Sequence, residues 1–364
     1  MQKPIKICYI LPEYNTDTES HFYHLYELLE RISQKADLFL IIEKSKSRDI
    51  KLGNRTYVQR FRFVPLRFLE IFLVVLRARL IGYKNFYTHY AYSGAISAAI
   101  ISRIFGGKSF YWNCAMNWLF RQKKLSGLGY KLSLRLSHFL VTGGETMKQG
   151  YAEHYGLKPE KIRVMPNWIN LNRFQNQKSK IKNQKSKNLL FVHWLSKRKG
   201  ADMIVPIIKH FLSDFGETIG DFKLLVIGNG PYRKKLAEET RENKLEKFIE
   251  ILGAISNKDI IEYYNNADIL IMPSMEEGFP RVLLEAMATG VPYVASDVGS
   301  VREISPDTAQ RFLVKSGDVE MFAHKIENLI SSEEIYNQFK KEEIEKVKEY
   351  SLENVLDIFI KLFA

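Results

Sequence analysis

The stretch PSMEEGFPRVLLEAMATGVPYVAS (Pro273 to Ser296), preceded by the apolar run ADILIMPS, constrains the fold of this chain more than any other. Pro280 suits the first turn of a helix, where its missing N–H would have been an orphan, and Gly290 followed by Pro292 closes that helix. The segment reads strand, loop, helix, turn, strand. Glu277 falls in the loop, and Glu285, eight positions on, falls inside the helix. Free N–H groups from Gly278 to Val282 gather at the helix start, where the positive end of the helix dipole favours an anion such as phosphate. One short segment thus offers two carboxylate acceptors for hydroxyl groups beside an anion site.

The same alternation runs through the chain. In the first half Ile5 to Leu11 predicts a strand, His21 to Ile32 a helix, Ala36 to Ile42 a strand and Ser93 to Phe105 a helix. Lys108 to Trp112 and Phe139 to Thr142 predict further strands. The polar run QNQKSKIKNQKSKN, Gln175 to Asn188, carries no acid and reads as a linker. A second alternating unit follows it, with strands LLFVHWL, LLVIGNGP, FIEILGA, ADILIMPS and PYVAS separated by helical stretches. Strand–helix alternation of this kind argues an α/β protein with doubly wound parallel sheets. The expected domains are 1–174, a linker over 175–187, a second domain over 188–345, and a terminal helix over 346–364 that packs back on the first. In open parallel sheets ligands lie beyond the carboxyl ends of the strands, the edge occupied by the loops SKRKG, GNGP, GAIS and MEEGFP. A cleft between the two halves is the expected working site.

At 364 residues, 46% of them hydrophobic, the chain is long enough for two domains with sizeable cores. The longest uncharged apolar run, Ile71 to Leu76, is far below the roughly 18 residues of a spanning helix, and no signal-peptide pattern opens the chain. The expectation is a cytoplasmic protein. Two cysteines, Cys8 and Cys114, make neither a disulfide framework nor a zinc spacing.

Charge is unevenly placed: residues 1–175 hold 27 Lys and Arg against 12 Asp and Glu, whereas residues 176–364 hold 27 against 29. A basic half beside a neutral one implies an acidic partner. No zinc-finger spacing, RNP signature or basic zipper points to nucleic acid. Between Arg60 and Lys84, arginines and lysines alternate with phenylalanines and leucines, the mixture expected on an anionic membrane surface. A buried helix with snorkelling arginines would carry a similar pattern.

With these residues in hand, the chain resembles the family 4 glycosyltransferases, retaining enzymes of the GT-B fold with two Rossmann-like domains facing across a cleft. The likeness is carried by LLVIGNGPYRKKL, FIEILGAISNKDIIEYYNNADILIMPS, EEGFPRVLLEAMATGVPYVASDVGSVREI and FLVKSGDVEMFAHKI, with a fainter trace in IRVMPNWINLNRF. It implies that Glu285 accepts hydrogen bonds from the nucleotide ribose, each worth about 1.5–3 kcal/mol, and that Glu277 lies beside the donor sugar. It places Gly278, Phe279, Pro280, Arg281 and Val282 on the sugar and phosphate, and Gly253, Ala254 and Ile255 at the base. Gly228 and Gly230 form another donor-side loop. Lys199 matches the lysine that neutralises the diphosphate leaving group, which stabilises the transition state more than the ground state.

Three departures from the family pattern stand out. Where relatives read Gly-Arg-Leu, with the arginine as a second diphosphate clamp, this chain reads His193, Trp194, Leu195; Lys197 or Arg198 is the expected substitute. The loop Glu13 to Glu19 after the first strand lacks the usual glycine pair. Where many relatives place a histidine, this chain has Asn113 and Cys114, leaving His89 as the nearest catalytic alternative, with Trp112 and Asn113 on the acceptor side. Tyr90, Tyr92, Tyr111, Trp112 and Trp118 are candidates to stack on sugar rings.

The resemblance implies a glycosyltransferase that moves a sugar, with retention, from a nucleoside-diphosphate sugar to an acceptor, and the basic aromatic stretch around residues 60–84 suits a polysaccharide or lipid-linked oligosaccharide acceptor at the inner face of the cell membrane. The chain has no Asp-x-Asp motif, so no metal or other cofactor is expected. The rival readings are a non-catalytic GT-B scaffold subunit, which predicts weak nucleotide binding, and a sugar-nucleotide hydrolase or epimerase.

Overall fold

The computed structural model describes residues 4–14, 23–47, 50, 52–120, 124–175, 186–219 and 221–363. Residues 176–185 of the polar run, 15–19 of the glycine-free loop, and His21 and Phe22 of the first expected helix lie outside them. The chain divides into two units, Met1–Pro166 with Glu353–Ala364, and Asn167–Leu352.

In the first unit, strands and helices alternate as β1 (Lys6–Leu11), α1 (Tyr23–Lys35), β2 (Asp37–Ile42), β3 (Arg55–Val58), α2 (Val64–Leu80), β4 (Asn85–His89), α3 (Tyr92–Phe105), β5 (Lys108–Trp112), α4 (Lys124–Leu136), β6 (Phe139–Thr142), α5 (Glu145–Tyr155) and β7 (Ile162–Val164). The seven strands are all parallel, in the order β3-β2-β1-β4-β5-β6-β7. Helices cover a parallel sheet on both faces, which is why β1 and β2 read as near-continuous apolar runs and are buried along almost their whole length.

The second unit runs α6 (Leu171–Gln175), β8 (Ser186–Val192), α7 (Ile204–Ile219), β9 (Asp221–Ile227), α8 (Arg233–Glu242), β10 (Ile249–Gly253), α9 (Ile260–Asn266), β11 (Ile269–Met272), α10 (Arg281–Thr289), β12 (Tyr293–Ser296), α11 (Val301–Ile304), β13 (Leu313–Val314), α12 (Val319–Ser331) and α13 (Glu333–Lys346). Its six parallel strands lie in the order β10-β9-β8-β11-β12-β13. A final helix, α14 (Leu352–Lys361), brings Phe359 to 4.9 Å from Tyr87, and Phe363 just after it lies 5.0 Å from Phe110, ring centre to ring centre.

Both sheets reverse strand order at one place, between β1 and β4 and between β8 and β11. Chain direction diverges there, so the loops after the two adjacent strands open a crevice instead of crossing each other. In the second unit those loops begin at His193 and Pro273. The glutamate helix differs from the sequence expectation by one position: Pro280 is its N-cap, with an extended ψ of 118°, and the helix proper starts at Arg281. Gly290 closes it in the left-handed conformation, φ 66°.

Glycine is required where loops meet at this edge. A Cβ on Gly228, whose φ is +141°, would lie 1.8 Å from the His193 carbonyl oxygen, whereas one on Gly156, φ +62°, meets nothing within 4 Å. Gly228→Ala is therefore expected to lower unfolding free energy by at least about 2 kcal/mol, and Gly156→Ala by only about 1 kcal/mol. Urea denaturation of the two variants checks the contrast.

Candidate active site

The site is built at the carboxyl edge of the second sheet by three loops. The turn after β8 carries Lys199 and ends at Gly200, where a Cβ would lie 2.1 Å from the Pro273 carbonyl oxygen. That closeness lets the Met275 N–H donate to the Arg198 carbonyl at 2.9 Å, joining the loop after β8 to the loop after β11. From the other side the turn after β12 closes in: Ser300 N–H donates to the Gly278 carbonyl at 3.2 Å, and a Cβ on Gly299 would lie 1.5 Å from the Glu277 carbonyl oxygen. Asn167 Nδ2 donates to the Phe279 carbonyl at 2.7 Å. Hydrogen bonds from the Ser300 N–H and the Asn167 side chain thus hold the Gly278 and Phe279 carbonyls.

The Glu277 carboxylate is the centre of the arrangement. Its Oε1 is 2.8 Å from Lys199 Nζ, 2.8 Å from His193 Nε2 and 2.8 Å from the Ser274 hydroxyl, which donates to it. His193 Nδ1 accepts the Trp194 N–H at 3.0 Å, so the neutral ring carries its proton on Nε2 and donates it to Glu277. Glu277 is buried, which pushes its pKa up, but the Lys199 ammonium and the His193 ring outweigh burial and bring it down to about 2. Lys199 Nζ also donates to the Glu276 carbonyl at 3.2 Å, so its head is held between two oxygens of one loop. All three donors take Oε1; among the described residues none is bonded to Oε2.

Glu285 projects from the middle of α10 and is also buried. Its Oε2 accepts the Tyr264 hydroxyl at 2.9 Å, and its Oε1 is 3.4 Å from Arg281 one turn earlier. The donor-side glycines behave as loop joints: Gly228 N–H donates to the Gly253 carbonyl at 2.8 Å, and a Cβ on Gly230 would lie 2.3 Å from the Leu195 carbonyl oxygen. Ala254 is exposed beyond the end of β10, with Ile255 partly covered beside it. Gly278, Phe279, Pro280 and Val282 bring the backbone to the start of α10, whose first N–H groups have no acceptor within the helix.

Of the two possible clamp substitutes, Arg198 is ion-paired with the buried Glu276 carboxylate, whereas Lys197 is exposed and makes no ion pair among the described residues. Trp194, in the arginine position, is 59% exposed. Two side chains of the Glu277 cluster escaped sequence reasoning. His193 carried a signal, a polar side chain immediately after a buried strand; Ser274 carried none, because only folding brings its hydroxyl to Glu277.

The first-unit residues form a different environment. His89 ends β4, is 1% exposed, lies flat against the Trp112 ring at 4.2 Å and shares a 3.2 Å hydrogen bond through Nδ1 with the Tyr9 hydroxyl. Asn113 is buried; its Nδ2 donates to the Tyr111 hydroxyl at 3.2 Å, and its Oδ1 accepts from the Tyr151 hydroxyl at 2.8 Å and Ala115 N–H at 3.0 Å. Of the five candidate stacking aromatics, Tyr111 and Trp112 are interior, Tyr92 is exposed, Tyr90 is partly covered, and Trp118 lies against His154 at 5.1 Å. Among the described residues no cluster of three His, Cys, Asp or Glu could hold a metal ion.

Two parallel Rossmann-type sheets are the GT-B architecture. The whole chain superposes on HepE of Anabaena, solved with UDP and glucose, with a TM-score of 0.79 at 16% identity, covering 98% of this chain and 99% of that one. Within that fold the sequence is specific: residues 172–346 match the family described as Glycosyl transferases group 1, and this stretch is a family 4-like glycosyltransferase domain. The 2-deoxystreptamine N-acetyl-D-glucosaminyltransferase of Niallia circulans is 28% identical over 149 residues, 41% of this chain and 37% of that protein. An uncharacterised 41.2 kDa protein from the cps region of Klebsiella pneumoniae is 24% identical over 339 residues, 88% of each. The chain spans between 37% and 57% of the length of the first curated relatives it matches.

The Glu277 cluster sets a pH dependence. A carboxyl whose pKa falls on folding adds stability that is complete above its unfolded value, about 4.5, and is lost as pH drops through its folded value, about 2. Glu277→Gln is expected to be less stable than wild type at neutral pH by on the order of a few kcal/mol, with the difference shrinking below pH 4.5 and vanishing as pH falls through about 2. Denaturation midpoints of both proteins across that range test it.

Proposed function

We propose that this protein is a retaining, metal-independent glycosyltransferase that takes a sugar from a nucleoside-diphosphate donor and passes it to a polysaccharide or lipid-linked oligosaccharide. The observation that carries the reading is the buried Glu277 carboxylate held by Lys199 and His193 at the strand-order reversal of a group 1 glycosyl transferase domain. Glu277 binds donor-sugar hydroxyls through the oxygen its three donors leave open. Glu285, steadied by Tyr264 and Arg281, takes the ribose hydroxyls. The diphosphate lies on the N–H groups that open α10 and against Lys199, with Lys197 as the second cation.

The chemistry follows from charge. As the bond from the anomeric carbon to the diphosphate oxygen breaks, its electron pair stays on the phosphate, where a fixed ammonium and helix N–H groups are worth most. The acceptor hydroxyl attacks the same face of the anomeric carbon, and its proton passes to the departing phosphate oxygen. The acceptor is held by the basic first unit, Met1–Pro166 with Glu353–Ala364. The protein works in the cytoplasm at the inner face of the cell membrane. A non-catalytic scaffold would have no use for a buried carboxylate with a lysine and a histidine on one oxygen, which favours turnover.

Thermal unfolding with UDP, GDP, ADP and their sugars tests donor binding: about 100 times the dissociation constant of the right ligand adds roughly 2.7 kcal/mol, and Glu285→Ala abolishes the shift. Absence of a shift with every nucleotide refutes the proposal. Lys199→Ala is expected to lower kcat by about 10²–10³ in a radiolabelled-sugar transfer assay.

A further inference from the structure

Helix α2 has two stripes. Its core stripe is Glu70, Ile71, Val74, Val75 and Ala78, all buried. Its opposite face carries Leu66, Leu69, Leu73 and Leu80, at helical spacings of three, four and seven that keep them on a single line, whereas Leu76 packs against the core cluster. These four leucines are 42%, 53%, 53% and 70% exposed. Phe61 and Phe63, in the turn leading into α2, are 51% and 67% exposed. At the other end Arg79 donates to the carbonyls of Phe105 and Gly106, at the end of α3, where Ile104 and Phe105 are also exposed. Isolated exposed leucines need no explanation; a continuous apolar line with aromatic residues at its head does.

This face is held rigidly. The Glu70 carboxylate, the one acid of α2, accepts the Tyr57 hydroxyl at 2.8 Å, the Arg60 N–H at 2.8 Å and the Phe61 N–H at 3.2 Å. Gln59 Nε2 donates to the Arg67 carbonyl at 2.8 Å. A buried carboxylate and a side-chain amide are thus spent on presenting Phe61 and Phe63 to solvent. Charge then selects what covers the face. From Ile50 to Gly144 the sequence has fifteen Lys and Arg and a single acid, Glu70, which faces inward. A second copy seated on the leucines in zipper fashion would set Arg62 and Arg77 against arginines, where such pairings use opposite charges. Lipid phosphates meet both demands, apolar chains below and anions at the rim. Among the described residues no helix is long and apolar enough to cross a membrane, so α2 would lie along the surface.

We propose that the outward leucine stripe of α2, with Phe61 and Phe63, is an in-plane docking surface for an anionic lipid bilayer, leucines in the headgroup–acyl boundary and Arg62 and Arg77 on the phosphates. The proposal is independent of the donor site, which belongs to the other unit.

Flotation of the full chain with phosphatidylcholine vesicles, and with vesicles containing about one-third phosphatidylglycerol, tests it. The protein is expected to float with the anionic vesicles alone. Leu69→Gln combined with Leu73→Gln, both at exposed positions, lowers partitioning by at least about tenfold. Arg62→Gln combined with Arg77→Gln lowers it by about fivefold per charge, and added salt reproduces that loss. Nucleotide thermal shifts of the variants stay at the wild-type value, which separates lost docking from lost folding. Failure of wild type to float, equal flotation of the leucine variant, or a dimer that the leucine variant dissolves in sedimentation equilibrium would each overturn the proposal.

Discussion

One carboxylate oxygen organises the second unit's working edge. Glu277 Oε1 draws Lys199 and His193 from the loop after β8 and Ser274 from its own loop after β11. The two strands are neighbours in the sheet but eighty residues apart in sequence, so this contact exists only because the sheet reverses its order between them. Desolvating a carboxylate is expensive, and here the cost is offset by two cationic or polar donors from a loop that glycine lets approach within contact of the next. The result is a buried charge pair whose geometry is fixed by the two loops themselves.

The first unit puts its charge to another use. Glu70 is also a buried carboxylate, but its acceptors are filled by the backbone and a tyrosine of the segment before α2, and its effect is to fix a loop. Glu43, after β2, ties α2 to α3 through Arg67 and Ser93. With the acids of this region turned inward, the arginines are left to define its surface. The same residue type thus builds a side-chain cluster in one unit and an architectural clasp in the other, according to whether its partners are side chains at an open edge or backbone at a closed one.

Much of the fold was readable before folding was considered. Parallel sheets bury both faces, so β1, β2 and β11 are written as near-continuous apolar runs, and the structure has strands there and at the expected β5 and β6 within one or two residues. The glutamate helix was readable from its proline and glycine, although Pro280 caps the helix instead of beginning it. β3 was not readable: Arg-Thr-Tyr-Val sits at the sheet edge, only half covered, and lacks the apolar run. At the site, Glu277 was marked by its spacing from Glu285 and Lys199 by the family resemblance alone, and the two are in contact. His193 was marked only as a departure from a familiar pattern, and its bond to Glu277 depends on a tautomer set by the neighbouring Trp194 N–H.

The amino-acid sequence by itself determined two α/β units, most of the strands and helices that make them, and the place of Glu277 in a loop and of Glu285 in the helix after it. Local periodicity, proline and glycine are enough for that, because each acts within a few residues. Tertiary structure alone decided which loops meet, and hence that His193 and Ser274 join Lys199 on Glu277, that Arg198 is taken by Glu276, and that the leucines of α2 face out while its one acid faces in. Those outcomes rest on sheet order and on which face of a helix finds a core, and neither is written in any short stretch of sequence.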